Sequence, residues 1–353
     1  MKRKKLAAIL LTVLLALSGL TGCGSEKSQE SSVASNTADV NEVSNVSEEA
    51  SGENQTDEKV VVRIADFVRT FPFQVSRAKG LLEKEFEGEN VVIEFTDTLA
   101  SGAAVSEAFG ANAIDIGILG DMPSLAGISA GYGFKIIGKN YSSSLSYPLL
   151  VAADSDIKTI ADLKGKKVSA AIGTSVHYAL LKYLETAGLT IDDVEFVNAS
   201  DSATLLRTGD IDAICSHVTT APTLVGEGTA KILTDGSAEN INTYGLIAGR
   251  TEFIEKYPDI TARVLKVINE SFEWVAENPD EANQLVADFG QSDVAIVKAL
   301  HDVIDLDVHL TEEDIDGINQ VLDFLKEQGA LANPNLKIED AVDVSYLEKA
   351  GLQ

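Results

Sequence analysis

Short apolar runs and segments of helical period alternate along most of this chain. Val60-Val61-Val62-Arg63-Ile64 reads as a buried strand, and residues 76–86 carry Ala78, Leu81, Leu82 and Phe86 on one helical face. Further strands are predicted at 91–95, 114–119, 135–137, 148–152, 167–171, 194–197, 211–215, 231–233 and 243–248, with a helix near 103–111. Apolar strands separated by helices imply an α/β fold with largely parallel pairing. Beyond Arg250 only helical periodicity remains: a long amphipathic segment at 259–277, then one at 280–289 for which Pro279 suits the first turn. Ala113-Ile114-Asp115-Ile116-Gly117, running into Gly120-Asp121-Met122-Pro123, is echoed by Gly209-Asp210-Ile211-Asp212-Ala213, running into Thr219-Thr220-Ala221-Pro222. Two lobes of similar topology would produce that echo.

The first 59 residues follow different patterns. Lys2-Arg3-Lys4-Lys5 precedes an apolar run from Leu6 to Leu17, too short for a membrane span and typical of a secretory signal. Leu20-Thr21-Gly22-Cys23-Gly24 resembles a bacterial lipobox, which makes residues 1–22 a lipoprotein signal peptide and Cys23 the lipidated first residue of the mature chain. Residues 23–59 are rich in Ser, Asn and Glu and poor in large apolar side chains. Such a stretch cannot bury enough surface to offset its ordering entropy, so a disordered tether is expected. The folded part then sits at the extracytoplasmic side of a cell membrane, held by lipid alone. With Cys23 modified, Cys215 has no partner, and no disulfide is expected.

Charge narrows the function. Losing the four basic residues of the signal takes the formal net charge from −27 to −31. Nucleic acid is excluded as a partner, because phosphate binding needs a basic footprint. No paired cysteines, His-x-x-x-His or nucleotide-binding glycine motif occurs, so neither a metal nor a cofactor is expected.

In an α/β fold, ligands bind beyond the carboxyl ends of parallel strands, where loops lead into helix N-termini. The loops at such ends are 66–74, 96–102, 119–124, 173–175 and 216–220. In Gly173-Thr174-Ser175-Val176-His177, a serine or threonine two or three positions from a histidine raises the question of an activated nucleophile. Ser175 and His177, two apart on a helix, do not face each other, which argues against it. The free N–H groups of the first turn and the hydroxyls of Thr174 and Ser175 suit an anion better. Spacing leaves two roles open: Thr174 and His177 contact a ligand, or Thr174 caps the helix while His177 packs. Gly102 and Ala103 open a second helix, either as another set of amides or behind an ordinary Ser101 cap. Arg69, Phe71 and Gln74 share the loop after the first strand. Asp121 and Met122 follow another strand, the carboxylate either capping a helix or meeting an ammonium group. Ser142, Tyr141 and His217 are further candidates near the predicted crossings.

Four stretches together resemble the extracytoplasmic solute-binding lipoproteins of importers for sulfonates, taurine and nitrate. They are Ala78-Lys79-Gly80-Leu81-Leu82-Glu83; Ser101-Gly102-Ala103 with Glu107-Ala108-Phe109 and Ile114-Asp115-Ile116-Gly117; Gly120-Asp121-Met122-Pro123; and Asp162-Leu163-Lys164-Gly165-Lys166-Lys167-Val168 with Gly173-Thr174-Ser175-Val176-His177. The last is nearest the sulfonate and taurine branch. Ser216-His217-Val218-Thr219-Thr220-Ala221-Pro222 departs from the family, which more often has an aromatic residue before the proline. The resemblance implies a periplasmic binding protein of type II, with two Rossmann-like lobes joined by two crossover strands near 147–153 and 242–248. Residues 60–146 form the first part of lobe one, 147–242 form lobe two, and 243–353 return to lobe one with the C-terminal helices. It further implies a monomeric binding protein rather than an enzyme. The ligand would be a small organic anion or zwitterion, such as an aliphatic sulfonate or taurine, passed to an ABC permease with a separate ATPase subunit. Nitrate or another small organic ligand is the alternative, and an enzyme related to thiamine-pyrimidine synthesis the alternative of another class.

Overall fold

The computed structural model describes residues 59–66, 73–96, 99, 101–199, 201–239 and 241–352; Cys23, Arg69 and Phe71 lie outside them. Ten strands form two five-stranded sheets. The first contains β1 (Val60–Asp66), β2 (Val91–Thr96), β3 (Ile116–Gly120), β4 (Phe134–Ser143) and β10 (Thr243–Arg250), in the order β2-β1-β3-β10-β4. The second contains β5 (Leu149–Ala152), β6 (Lys167–Ala170), β7 (Glu195–Asn198), β8 (Ala213–Cys215) and β9 (Ala230–Thr234), in the order β7-β6-β8-β5-β9. Each predicted strand has its counterpart, and the fold is the α/β one that the pattern implies.

Pairing is mixed rather than largely parallel, and the route of the chain explains why. It passes from β4 to β5 through residues 144–148 and from β9 to β10 through residues 235–242. A strand arriving from the other sheet enters at the carboxyl ends of its new neighbours and must run against them. So β10 starts with Thr243 beside Ser143 and Gly245 beside Gly120, antiparallel to both β4 and β3. Likewise β5 starts with Leu149 beside Cys215 and Thr234, antiparallel to β8 and β9. The pairs β1–β2, β1–β3, β6–β7 and β6–β8 stay parallel. Both crossings therefore join carboxyl ends, and they bring those ends of the two sheets together.

Helix boundaries differ from expectation in one informative place. The single helix expected over 76–86 is two, Phe73–Ala78 and Leu81–Glu85. Gly80 separates them with φ +60, a left-handed conformation that costs glycine little and interrupts the helical ladder. Pro279 does open the helix Pro279–Gly290. After β10 come helices, among them the amphipathic Pro258–Glu277 and Glu312–Glu327.

The helix Glu312–Glu327 holds the molecule together. Its Thr311–Asp314 capping box fixes the start. Buried Lys139 of β4 reaches Asp314 at 2.8 Å, tying this helix to the first sheet. Ile318, Val321, Leu322 and Phe324 then share an apolar cluster with Leu149, Val151 and Tyr178 from the other side. Burial at roughly 25 cal/mol per Å² of apolar surface makes that cluster a source of cohesion between the sheets.

Candidate functional site

At the junction of the carboxyl ends, Asp121 opens the helix Asp121–Ser129 straight after β3. Its carboxylate is 1% exposed. Oδ1 accepts from the Met122 amide at 2.7 Å and from the Ser175 hydroxyl at 3.1 Å, and Oδ2 accepts from the Tyr244 amide at 3.0 Å. One side chain therefore joins its own helix, the returning strand β10 and the helix Ser175–Thr186 beside the second sheet. Burial raises the Asp121 pKa, opposed by the hydrogen bonds from Tyr244, Met122 and Ser175.

Tyr147, in the first crossing, extends the group. Burial and the nearby Asp121 charge push the pKa of its hydroxyl up, against the opposing pull of the neighbouring Ser175 side chain. The ring of Tyr147 meets His217 edge-on, with centroids 5.5 Å apart. His217 Nδ1 lies 2.9 Å from Thr219 Oγ1 and accepts from the Thr219 amide, which assigns the ring proton to Nε2. Burial holds the imidazole pKa down to about 4, so His217 is neutral at pH 7 and has one N–H to offer. Tyr141, at the end of β4, lies over Gly245, where a Cβ would collide with its ring. Together these residues present hydroxyls and one imidazole N–H around a buried carboxylate.

Of the residues singled out by sequence, Asp121, Ser175 and His217 come together here. Thr174 does not donate towards them. Its hydroxyl donates to the Ala171 carbonyl at 2.7 Å and accepts weakly from the His177 amide, so it caps the Ser175 helix. The His177 ring leaves the helix in another direction, towards Phe196 and Phe324, at 5.5 and 6.2 Å between centroids. Of the two roles that spacing left open, these are the contacts of the second: Thr174 caps the helix, and the His177 ring lies among aromatic rings. Met122 lends its backbone amide to Asp121 while its side chain packs in the core. Gly102 is buried and Ala103 exposed at the start of the helix Gly102–Gly110, whose Ser101 cap accepts from Ala104 at 3.2 Å. Gln74 is buried on the helix Phe73–Ala78. Ser142 is half-buried, with its backbone bridged to Asp305.

Tyr147 was not among the candidates, although its place in a predicted crossing between sheets was the signal that could have found it. Cys215 lies below this group, its thiol 3.4 Å from the Tyr147 carbonyl. Burial pushes the thiol pKa up, the wrong direction for a nucleophile.

The model of the family described as NMT1/THI5 like matches residues 70–282. A Bacillus subtilis protein named for binding aliphatic sulfonates is 28% identical over 79% of this chain and 84% of its own length. The taurine-binding periplasmic protein of Escherichia coli is 26% identical over 63% of this chain and 68% of its own. Among solved structures, the periplasmic aliphatic sulphonate binding protein SsuA of Escherichia coli superposes with a TM-score of 0.71 at 22% identity, covering 80% of this chain and 92% of that one. The desulfurization enzyme DszB has the same fold, with a TM-score of 0.65 at 16% identity over 82% of this chain and 98% of its own. The family match spans well over half of the 353 residues, and the chain belongs to that NMT1/THI5-like family.

Proposed function

We propose that this member of the NMT1/THI5-like family captures a small aliphatic sulfonate or taurine-like zwitterion between two lobes and delivers it to an ABC permease. The observation that carries the reading is the meeting of Asp121, Tyr147, Ser175 and His217 where the carboxyl ends of both sheets converge. The start of the Ser175–Thr186 helix offers amides and the positive end of a dipole to an oxyanion. His217, neutral and proton-bearing on Nε2, can add a directed hydrogen bond without a charge to desolvate. Relatives named for aliphatic sulfonates and taurine support the ligand class.

In this reading residues 60–146 and 243–353 make lobe one, 147–242 make lobe two, and binding closes one on the other. Cys23 carries the lipid that keeps the protein outside the cytoplasmic membrane, with residues 23–59 as tether. Calorimetric titration with ethanesulfonate, butanesulfonate, taurine, nitrate and betaine tests the class. Heat is expected from the sulfonates, and silence from all of them would remove the proposal. His217→Ala should weaken sulfonate binding by about 1.5–3 kcal/mol, the range for a hydrogen bond to a charged group.

A further inference from the structure

The Asp121–Ser175 contact creates a conflict for an anion. A serine hydroxyl has one proton, and Ser175 sits 3.1 Å from Asp121 Oδ1, to which it donates. The Tyr147 hydroxyl is its other polar neighbour. While the proton points at Asp121, Ser175 has none for a ligand oxygen. The groups facing the carboxylate do not neutralise it. The ionisable side chains close enough to feel its charge are phenols: Tyr141 on β4, Tyr147 in the crossing, Tyr178 on the Ser175 helix and Tyr244 on β10. Among the described residues Asp121 forms no ion pair with a lysine, arginine or histidine. An anion seated at the start of the Ser175 helix would lie against a buried negative charge that has no counter-ion among the described residues.

We propose that Asp121 is a positioning residue that binds one proton from solvent as the sulfonate arrives, so that anion and proton are captured together. The neutral carboxyl donates from Oδ1 to Ser175 Oγ and keeps accepting the Tyr244 amide on Oδ2. Ser175 then turns its own proton to the ligand oxygen. One proton is taken up per anion, and no covalent bond is made or broken. Burial already raises the Asp121 pKa in the ligand-free protein, and a neighbouring anion raises it further. The proposal rests on the reading that the Ser175 helix end receives the sulfonate.

The test is calorimetry of the full-length chain with ethanesulfonate between pH 5 and 8, in pairs of buffers that differ in ionisation enthalpy. Uptake of up to one proton is expected, with affinity approaching ~10-fold tighter per pH unit towards acid where uptake is complete. Asp121→Asn should abolish the uptake and flatten the profile. The wild-type measurement stands even if that variant folds poorly. His177 and His217, both with lowered pKa values, are the other groups that could take a proton. Uptake that survives Asp121→Asn but disappears in His217→Ala or His177→Ala would overturn the assignment. So would ethanesulfonate binding with no proton exchange and a flat profile. Absence of binding at every pH would instead overturn the sulfonate reading beneath it.

Discussion

Ser175 and His177 are two residues apart on one helix, and their side chains serve different ends of the molecule. The Ser175 hydroxyl meets Asp121, whereas the His177 ring, 8% exposed, packs near Phe196 and Phe324. Burial lowers the His177 pKa, so the ring is neutral at pH 7 and behaves as a small aromatic. If that packing is its role, His177→Ala and Phe324→Ala should each destabilise the protein. In a double-mutant cycle read by urea unfolding, they should couple by about 0.5–1.5 kcal/mol, as expected of an aromatic pair. Additive effects, combined with a sulfonate affinity lowered more than tenfold in His177→Ala, would return the ring to the ligand. The helix spacing alone settled that Ser175 and His177 do not face each other. It could not settle which of the two packs in the interior, because that depends on where the helix Glu312–Glu327, 130 or more residues later, comes to rest.

Among the elements, the amino end of β3 is as firmly held as its carboxyl end. Asp115, 1% exposed just before β3, takes Arg63 of β1 through Nε and Nη2 at 2.8 Å and Arg250 of β10 through Nη2 at 2.7 Å. One carboxylate thus cross-links three adjacent strands. Burial raises its pKa, but the hydrogen bonds from Arg63 and Arg250 outweigh this and leave it lowered. Since the folded value lies below the unfolded one, the stabilisation is complete above about pH 4 and is lost as pH falls through the folded pKa. Asp115→Asn should therefore cost roughly 2–4 kcal/mol in urea unfolding at pH 7, by removing the buried carboxylate that Arg63 and Arg250 share, and much less at the acid end of the lowered titration. An equal loss at both ends would deny the ion pair its part. The strands themselves were legible because each is a short apolar run bounded by turn residues. Their order and direction were not, since β10 settles between β3 and β4 only through pairing across more than a hundred residues. The Ile-Asp strand motif stood out in the sequence, yet nothing local linked Asp115 to Arg250, 135 positions away.

The molecule as a whole carries a formal charge of −27, while the ligand proposed for it is an anion. Several cations of the folded part are already paired: Arg63 and Arg250 with Asp115, Lys139 with Asp314, and Arg263 with Glu85 and Glu89. Long-range potential should therefore oppose the encounter, and attraction should begin only within hydrogen-bonding reach of the helix amides, Ser175 and His217. Screening shortens the reach of the repulsion to about 8 Å at physiological ionic strength. Added salt should accordingly speed association instead of slowing it, the reverse of a steered encounter. In stopped-flow fluorescence the association rate constant for ethanesulfonate should rise roughly 2–5-fold between 10 mM and 300 mM salt, with dissociation little changed. A rate constant that falls with salt would mean that positive potential at the mouth of the site outweighs the charge of the whole chain. Arg69, three positions beyond β1 in the sequence and outside the described residues, is the cation whose replacement by Gln would then test the source of that potential.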